Sequence, residues 1–525
     1  MNIKLHLSTI FVFTSLITIA QFPSTASVWN LPNIESVVAD MNTVFSSNYS
    51  LYDINGDGFP DLIDPKDNFS GSVWENGAQR YWKVYLNNGS AISTSATDWN
   101  VPNVESTAMD MNSIGNGFYG LYDINGDGKP DLVDSRDNFG GSVWLNSAQR
   151  YWKVYLNNGT SFSTTANQWN LPNVESNEMD MNVILSAFYG LYDMNGDGKL
   201  DLVDSRDNFS NSVWLNGAQR FWKVYLNNGS AFSTSETQWN LPNVESSEMD
   251  MNVVGNGNFA LIDMNGDAKL DLVDAEDNFT NEVWINGAQR YWKVYTNNGT
   301  AFSVAPIDWN IPNVESAAAD MSSIFTAFYG LFDINGDGYP DLVDTKDNFS
   351  GSVWLNGAQR FWKVYLNQGS SFNTSEIQWN VPNVESAEMD MNVIGNSFFA
   401  PVDMNGDGLL DLVDARDNFS GNVWENGAQR YWKVYANINV GMRTSSEELT
   451  LALFPNPSTG TIGINLTDLP SAKISVYNSI GLLVFEKSDL ESKIQFLDLS
   501  EVPPGTYSIQ IESAQQFYTG KLIKE

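Results

Sequence analysis

The chain has 525 residues, and its 63 acidic side chains outnumber its 27 basic ones, which gives a formal net charge of −36 at pH 7. This charge argues against nucleic acid and anionic membrane surfaces as partners, because both are bound through lysine and arginine. The chain has no cysteine, and its only histidine, His6, lies within the first 20 residues. Beyond that segment, cysteine nucleophiles, Ser-His-Asp triads and the usual zinc sites are therefore excluded.

Residues 1–20 have the pattern of a secretory signal peptide. Lys4 supplies a short basic region, an apolar run from Leu5 to Ile19 follows, and small Ala20 ends the segment. Cleavage after Ala20 and cleavage after Ala26 both fit this pattern. The run is too short and too rich in Ser and Thr for a membrane anchor. We therefore expect no transmembrane segment in the mature chain.

After this leader the sequence is a tandem array. The stretch Asp53-Ile-Asn-Gly-Asp-Gly-Phe-Pro-Asp61 recurs six times at intervals of 70 residues, with the copies beginning at Asp53, Asp123, Asp193, Asp263, Asp333 and Asp403. Each copy has oxygen-bearing side chains at positions 1, 3, 5 and 9, and all but the fourth have glycine at position 6. Such spacing is typical of a calcium loop, in which the backbone carbonyl of position 7 is a further ligand.

The pattern predicts up to six Ca²⁺ ions as cofactors. The predicted ligands are Asp53, Asn55, Asp57, Phe59 and Asp61; Asp123, Asn125, Asp127, Lys129 and Asp131; Asp193, Asn195, Asp197, Lys199 and Asp201; Asp263, Asn265, Asp267, Lys269 and Asp271; Asp333, Asn335, Asp337, Tyr339 and Asp341; and Asp403, Asn405, Asp407, Leu409 and Asp411.

Two features separate these loops from the calcium loops of helix-loop-helix proteins. Those loops carry a bidentate Glu at position 12, where the first copy has the shorter Asp64, a candidate sixth ligand. The loop also leads into the strand-like Asp-Leu-Val-Asp, so we expect the metal in a loop between strands. A plain Asn-Gly turn with solvated carboxylates is the alternative. Ala268 replaces the glycine in the fourth copy and puts that site in doubt.

Tryptophan follows the same repeat. All 18 tryptophans fall into three series, which begin at Trp29, Trp74 and Trp82. We expect the Trp82 series to pack between sheets, since Trp82 alternates with Val84 on a predicted strand. For the Trp74 series, which lies in a polar stretch, burial and an exposed sugar-stacking role both stay open.

Each repeat has four strand candidates, which is the content of one propeller blade. In the second copy they are residues 118–122, 131–134, 151–156 and 161–169, with a tight Asn158-Gly159 hairpin before the last. Two long loops, 103–117 and 137–149, are the expected place for function.

Further charged residues recur in every repeat. One set of four can be interpreted as a salt-bridge network that orders a loop or as a ligand site; its members are Asp64, Asp67, Arg80 and Lys83. Glu35 and Asp40 recur too, and either is a candidate to approach a neighbouring metal.

Residues 28–438 resemble the FG-GAP/VCBS repeat family, which includes the integrin alpha-subunit β-propellers. The likeness is carried by Asp-x-Asn-Gly-Asp-Gly-x-x-Asp-Leu followed by Trp-Lys-Val-Tyr-Leu-Asn-Asn-Gly-x-x-Phe. The resemblance implies that each loop joins neighbouring strands of a blade and that the five positions named above bind calcium.

The repeat pattern stops after Tyr435, and the composition changes from Leu449. Residues 439–448 are predicted as a linker, and residues 449–525 as a small immunoglobulin-like β-sandwich. Phe454-Pro-Asn-Pro, a central Val-Tyr-Asn-x-x-Gly and Gly505-Thr-Tyr resemble the type A C-terminal sorting domain of the type IX secretion system of Bacteroidetes. That resemblance implies an address read by the outer-membrane secretion machinery and a secreted or cell-surface location.

The sequence therefore predicts an all-β protein: a leader (1–20), a six-bladed β-propeller of six 70-residue repeats (21–438), a linker and the sorting domain. A binding module for an extracellular glycan or protein ligand is favoured, because identical weak sites at fixed spacing suit multivalent attachment. The alternative is a carboxylate-dependent glycosidase or lyase, which needs two carboxylates with different roles. No such unique pair is visible, so no catalytic residue is predicted and an enzyme is the less favoured reading.

Overall fold

The structure is a computed structural model. Apart from short gaps, it describes residues 21–34, 41–65, 80–102, 111–135, 150–172, 181–205, 220–242, 251–275, 290–312, 321–345, 360–382, 393–415 and 430–437, and most of the strands between 453 and 524. The chain divides into two compact units, one spanning Ala20–Ile438 and one containing Asn439–Glu525. The described residues contain strands and no helix.

The first unit contains 24 strands. They are β1 (Ser27–Asn30), β2 (Ser50–Tyr52), β3 (Asp61–Asp64), β4 (Arg80–Tyr85), β5 (Thr97–Val101), β6 (Tyr119–Tyr122), β7 (Asp131–Asp134), β8 (Tyr151–Tyr155), β9 (Asn167–Asn170), β10 (Tyr189–Tyr192), β11 (Asp201–Asp204), β12 (Phe221–Tyr225), β13 (Thr237–Asn240), β14 (Phe259–Ile262), β15 (Asp271–Asp274), β16 (Arg290–Tyr295), β17 (Ile307–Ile311), β18 (Tyr329–Phe332), β19 (Asp341–Asp344), β20 (Arg360–Tyr365), β21 (Ile377–Val381), β22 (Phe399–Val402), β23 (Asp411–Asp414) and β24 (Tyr431–Tyr435).

These strands form six antiparallel four-stranded sheets, the blades of a β-propeller. Blades 1 to 5 take their strands in chain order: β2–β5, β6–β9, β10–β13, β14–β17 and β18–β21. Blade 6 contains β22, β23 and β24, and its fourth strand is β1 from the beginning of the chain. The predicted six-bladed architecture is confirmed.

Residues before the first repeat close the ring. β1 pairs with β24 so that Trp29 lies opposite Trp432, just as Trp99 lies opposite Trp82 within blade 1. One hydrophobic cluster joins β1 and blade 6 to Leu51 and Leu62 of blade 1. The sequence predicts this closure, because Trp29-Asn-Leu-Pro matches the last strand of a blade and the sixth repeat lacks that strand after Tyr435. The pairing of β1 with β24 confirms the prediction.

The N-terminal segment also supplies an aromatic side chain that the repeat frame does not predict. In an ordinary blade, Phe162 lies edge-on to Trp82 and Trp99 of the preceding blade, with ring centroids 5.8 and 6.4 Å apart. Phe22 makes the same contacts with Trp362 and Trp379, also at 5.8 and 6.4 Å. It therefore takes the place that the repeat spacing would give to residue 442.

Most of the propeller core lies between successive blades, where the described tryptophans are buried. The Trp82 series is at most 1% exposed. The indole N–H of Trp82 donates to the Met111 carbonyl of the next repeat (2.9 Å), and Trp432 donates to Met41 (3.0 Å) across the closure. The predicted packing role of this series is confirmed.

One strand prediction was wrong. The fourth strand of blade 2 was expected over 161–169, but β9 spans Asn167–Asn170. Asn157 and Phe162 form an isolated bridge instead, and the turn between them is held by the Asn158 side chain, which accepts the N–H groups of Thr160 and Ser161. These local bonds replace a strand ladder, so the hairpin ends after one pair.

The second unit contains seven strands. They are β25 (Leu453–Phe454), β26 (Thr461–Asn465), β27 (Ala472–Asn478), β28 (Leu483–Leu490), β29 (Ile494–Asp498), β30 (Gly505–Ser513) and β31 (Gln516–Lys524). They form one sheet in the order β25-β26-β29 and another in the order β28-β27-β30-β31, and both contribute to one buried cluster. An immunoglobulin-like class for this unit stays a prediction, as do the exact domain boundaries.

Candidate metal sites

The predicted calcium loops are the segments 53–61, 123–131, 193–201, 263–271, 333–341 and 403–411, called loops 1 to 6 here. Each runs from the first to the second strand of its blade. In loop 1, Asp53 accepts the N–H groups of Gly56 and Gly58, both at 2.8 Å, and the other five loops repeat both bonds. Aspartate is suited to this role because its short side chain can bond to nearby backbone groups. The carboxylate at position 1 is thereby held inside the turn.

The side chains at positions 3 and 5 are held in the same way. Asn55 Oδ1 accepts the Asp57 N–H at 2.8 Å, and Asp57 Oδ1 accepts the Phe59 N–H at 3.0 Å, with equivalents in every loop. Three oxygen-bearing side chains are therefore fixed to one short segment of backbone, and each oxygen has a second lone pair for another partner.

Position 9 differs because it is buried. Asp61 and its five equivalents are 0% exposed, and Oδ1 of each accepts the N–H of the asparagine that follows the third strand, Asn87 in blade 1 (2.8 Å). In loops 3, 4 and 6 the other oxygen accepts the N–H of position 2, as Asp201 does from Met194 at 3.1 Å. Oδ2 of Asp61, Asp131 and Asp341 has no hydrogen-bond partner in the part of the chain that the structure describes.

Burial changes the acidity of this residue. Loss of hydration raises the pKa of Asp61, Asp131, Asp201, Asp271 and Asp411 to about 7, and that of Asp341 to about 8. The neighbouring carboxylates at positions 1 and 5 raise it further, while backbone N–H donors oppose the shift. A buried carboxylate that is short of partners is costly unless a cation or a proton compensates it.

This donor set fits a hard divalent cation, because the residues present are carboxylates and an amide with no nitrogen or sulfur ligand. Among the residues described, however, no three His, Cys, Asp or Glu side chains already converge as a metal cage. The loop carboxylates are turned onto backbone N–H groups instead. Calcium binding therefore stays a prediction.

The backbone at position 6 explains the glycine. Gly58 has φ of 90°, the glycines of loops 2, 3, 5 and 6 have φ of 82–88°, and Ala268 has φ of 65°. A residue with a Cβ is strained in this left-handed region. Glycine at position 6 of the other five copies predicts a position that needs positive φ, and the φ of Ala268 confirms this prediction.

The asparagine after the third strand links neighbouring loops. Asn157 Nδ2 donates to the Ile54 carbonyl in loop 1 at 2.6 Å, while its N–H donates to Asp131 of its own loop at 2.8 Å. The same pair of bonds occurs in all six blades, including Asn87 to Met404 at 2.8 Å across the closure. The turn pattern of the sequence does not by itself predict this link. The signal that was missed is that this asparagine persists at Asn437, where the glycine of the turn is gone.

The other recurring charges are only partly described. Asp64 is 3% exposed and lies opposite Lys83 in the ladder, and Arg80 is also buried. Asp64 follows the loop on β3, and its role as a sixth ligand stays a prediction. Asp67, Glu35, Asp40, the Trp74 series, the leader and the linker lie outside the described residues, so the predictions about them stay open.

The C-terminal unit matches a known protein family. The profile of the family described as "Secretion system C-terminal sorting domain" matches residues 452–525. No curated protein matches the chain.

Two solved structures show a distant likeness. One is PorZ, described as an essential bacterial surface component of the type-IX secretion system of Porphyromonas gingivalis, with 10% identity and a TM-score of 0.30. That match covers 95% of this chain and 60% of PorZ, so the chain spans less than two thirds of that protein. The other is the BSP domain of a biofilm-associated protein, with 10% identity, a TM-score of 0.13 and coverage of 95% and 81%. At these scores the likeness establishes neither a shared fold nor a shared function.

No helix among the described residues is long and apolar enough to cross a membrane. The C-terminal match implies engagement with the type IX secretion machinery. This chain is therefore a six-bladed β-propeller that carries a C-terminal secretion sorting domain, and it is a secreted or outer-surface protein.

Proposed function

We propose that the propeller is a calcium-dependent binding module that attaches to an extracellular glycan or protein through repeated, similar sites. The observation that carries the proposal is the buried position-9 carboxylate, repeated in every blade, with an unpartnered oxygen at Asp61, Asp131 and Asp341. Calcium would neutralise the carboxylates of its loop and hold them together. The ligands would be the side chains at positions 1, 3, 5 and 9 and the backbone carbonyl of position 7.

The repetition favours binding over catalysis. A glycosidase needs an acid and a second carboxylate with distinct roles, whereas the described loops bear the same acids and share most of their hydrogen bonds. Six weak contacts on one rigid ring gain strength together, because binding at one site raises the effective concentration at the others. The enzyme alternative has no observation in its favour, and the experiment below tests it directly.

An open groove lies beside loop 3. It has a volume of about 650 Å³ and is lined by polar residues, among them Asn195, Asp197 and Thr234, and by the apolar Leu226 and Phe232. Amide, carboxylate and hydroxyl groups can all bond to sugar hydroxyls.

Calcium uptake by the full secreted chain is the first test. Equilibrium dialysis should give up to six ions per chain, and Asp57→Asn should lower the number by one, because it removes a ligand charge while keeping the Oδ1 acceptor. Asp98→Asn is the matched control, since Asp98 is exposed and lies on β5 away from the loops. Absence of calcium uptake would contradict the proposal.

Ligand binding is tested separately. The chain is incubated with a panel of polysaccharides and extracellular proteins, with calcium or with chelator, and both retention and cleavage are measured. Calcium-dependent retention without cleavage is expected, and cleavage products would establish the enzyme alternative. Changing Trp74 and its five equivalents to Ala tests the sugar-stacking hypothesis if the melting temperature is unchanged.

A further inference from the structure

The side chain at position 7 of each loop lies against the preceding loop. A Cβ added to Gly56 of loop 1 would be 2.7 Å from Cγ of Lys129 in loop 2, so this glycine leaves room for the lysine stem. The same contact recurs around the ring: Gly126 with Lys199, Gly196 with Lys269, Gly266 with Tyr339, Gly336 with Leu409, and Gly406 with Phe59.

The stem also packs against its own blade. Cε of Lys129 lies 3.4 Å from a Cβ built on Gly159, and the corresponding distances are 3.4 Å for Lys199 at Gly229 and 3.5 Å for Lys269 at Gly299. The stem of each lysine therefore lies between two turns.

The ammonium groups lie beside a predicted calcium ligand. Lys129 Nζ is 3.7 Å from Asp127 Oδ2, and Lys199 and Lys269 are each 3.4 Å from the position-5 carboxylates Asp197 and Asp267. The other three loops have the uncharged Phe59, Tyr339 and Leu409 at this position. Loops 2, 3 and 4 thus carry one positive charge that loops 5, 6 and 1 lack, and each set is contiguous around the ring.

We infer that the propeller has two classes of calcium site, a weaker class in loops 2–4 and a tighter class in loops 5, 6 and 1. This inference rests on the proposed calcium binding and deepens it. An ammonium group fixed near a ligand carboxylate both competes for that carboxylate and repels a divalent cation. Because the lysine and aspartate side chains are both partly exposed, water screens this charge, and we expect a several-fold difference in Kd between the two classes.

The test is a calcium titration of the full secreted chain by calorimetry. Two classes of about three sites each are expected, with Kd values several-fold apart. The combined substitutions Lys129→Met, Lys199→Met and Lys269→Met keep an unbranched stem in the gap but remove the charge, and they should raise the affinity of the weaker class toward that of the tighter one.

Two further variants separate charge from packing. Leu409→Lys should move one site from the tighter to the weaker class, whereas Phe59→Met, at the same place in the fold, should leave the distribution unchanged. Melting temperatures in chelator check that every variant is folded.

The outcomes are distinguishable. Six equivalent sites, or two classes that the triple lysine variant leaves unchanged, would overturn this inference and leave the proposed function standing. No uptake by any loop would overturn both.

Discussion

Ala268 places a strained backbone in one of the six loops. It is the only described residue other than glycine with positive φ, at 65°. A Cβ at the equivalent Gly58, Gly128, Gly198, Gly338 or Gly408 would meet nothing within 4 Å. Space is therefore not limiting at this position, and the penalty for alanine comes from backbone strain alone.

We predict that Ala268→Gly stabilises the chain by about 1 kcal/mol and tightens calcium binding in loop 4. Gly198→Ala, in loop 3, should have the opposite effect by a similar amount. Denaturant unfolding and calcium titration measure the two effects. Equal stability of wild type and Ala268→Gly would show that the loop relieves the strain in another way.

The raised pKa values of the position-9 carboxylates lead to a prediction of how the stability of the folded chain depends on pH. Their pKa is raised by burial to about 7, or about 8 for Asp341, against about 3.8 in the unfolded chain. The folded state therefore binds more protons than the unfolded state between about pH 4 and pH 7. This contribution to stability is fully present below pH 4 and is lost as the pH rises through 7.

In chelator, the melting temperature should therefore fall between pH 5 and pH 8. In excess calcium the stabilisation by metal should grow over the same range, because the metal needs the ionised carboxylate and competes with the proton. Calorimetry with and without calcium measures both trends. The Asp201→Asn variant should show a shallower slope in chelator, and an unchanged slope would contradict the role of this group.

At the scale of the element, the segment 21–30 does two jobs in closing the ring. β1 supplies the fourth strand of blade 6, and Phe22, which is 4% exposed, fills the aromatic position against Trp362 and Trp379. Gln21 also accepts a hydrogen bond from Asn380 at 3.1 Å. Closure therefore depends on residues on both sides of Ala26.

We predict that Phe22→Ala destabilises the propeller by about 3–5 kcal/mol, the usual cost of emptying a buried phenylalanine site. Phe162→Ala, in an ordinary blade, should cost a similar amount, whereas Val28→Ala should cost little because Val28 is 56% exposed.

Deleting residues 27–32 should destabilise or aggregate the protein by exposing two sheet edges. Unfolding curves measure each change.

The same contacts distinguish the two leader cleavage positions. Cleavage after Ala26 would remove Phe22 from the closure, whereas cleavage after Ala20 keeps it. We therefore expect the mature chain to begin at Gln21. Sequencing the N-terminus of the secreted protein measures this, and a start at Ser27 would contradict the closure role of Phe22.

The asparagine that follows the third strand of each blade bonds to the preceding loop, and this contact leads to a further prediction at this scale. Asn227 donates to Ile124 in the preceding loop (2.7 Å) and to Leu200 (3.0 Å), and it accepts from Gly229 (2.9 Å). Asn227→Ala should cost about 1–3 kcal/mol, since buried partners lose their bonds. Asn228→Ala is the control: its bonds are exposed, so it should cost less. Equal costs would show that the link between blades adds nothing.

At the scale of the whole molecule, we make one prediction for the propeller ring and another for the sorting domain. Chelation should lower the melting temperature strongly, because metal bound only to the folded state adds about 2.7 kcal/mol per site at a hundredfold excess over Kd. Several such sites would rival the usual 5–15 kcal/mol margin of a folded protein. A melting curve unaffected by chelator would contradict calcium-dependent stability.

Removal of residues 449–525 should leave a folded propeller in the periplasm of a host with type IX secretion. Fractionation and immunoblotting measure its location, with the full chain as control. Normal export of the truncated protein would contradict the sorting role that the match to residues 452–525 implies.

The sequence by itself determined whatever repeats with a fixed period: six blades, the loop residues, the burial of the Trp82 series, the positive φ at Ala268 and the closing strand at Trp29. These features follow from local preferences and from spacing, which the sequence records directly. Only the tertiary structure decided which distant residues meet: Phe22 with Trp362, Asn157 with Ile54, and the position-7 side chains with the preceding glycines. Such contacts join residues that are about 70 to 340 positions apart, and their geometry is set by the angle between blades, for which no local pattern exists. The length of the fourth strand was missed for a related reason, because side-chain bonds in the turn outcompeted the ladder that the alternating pattern predicted.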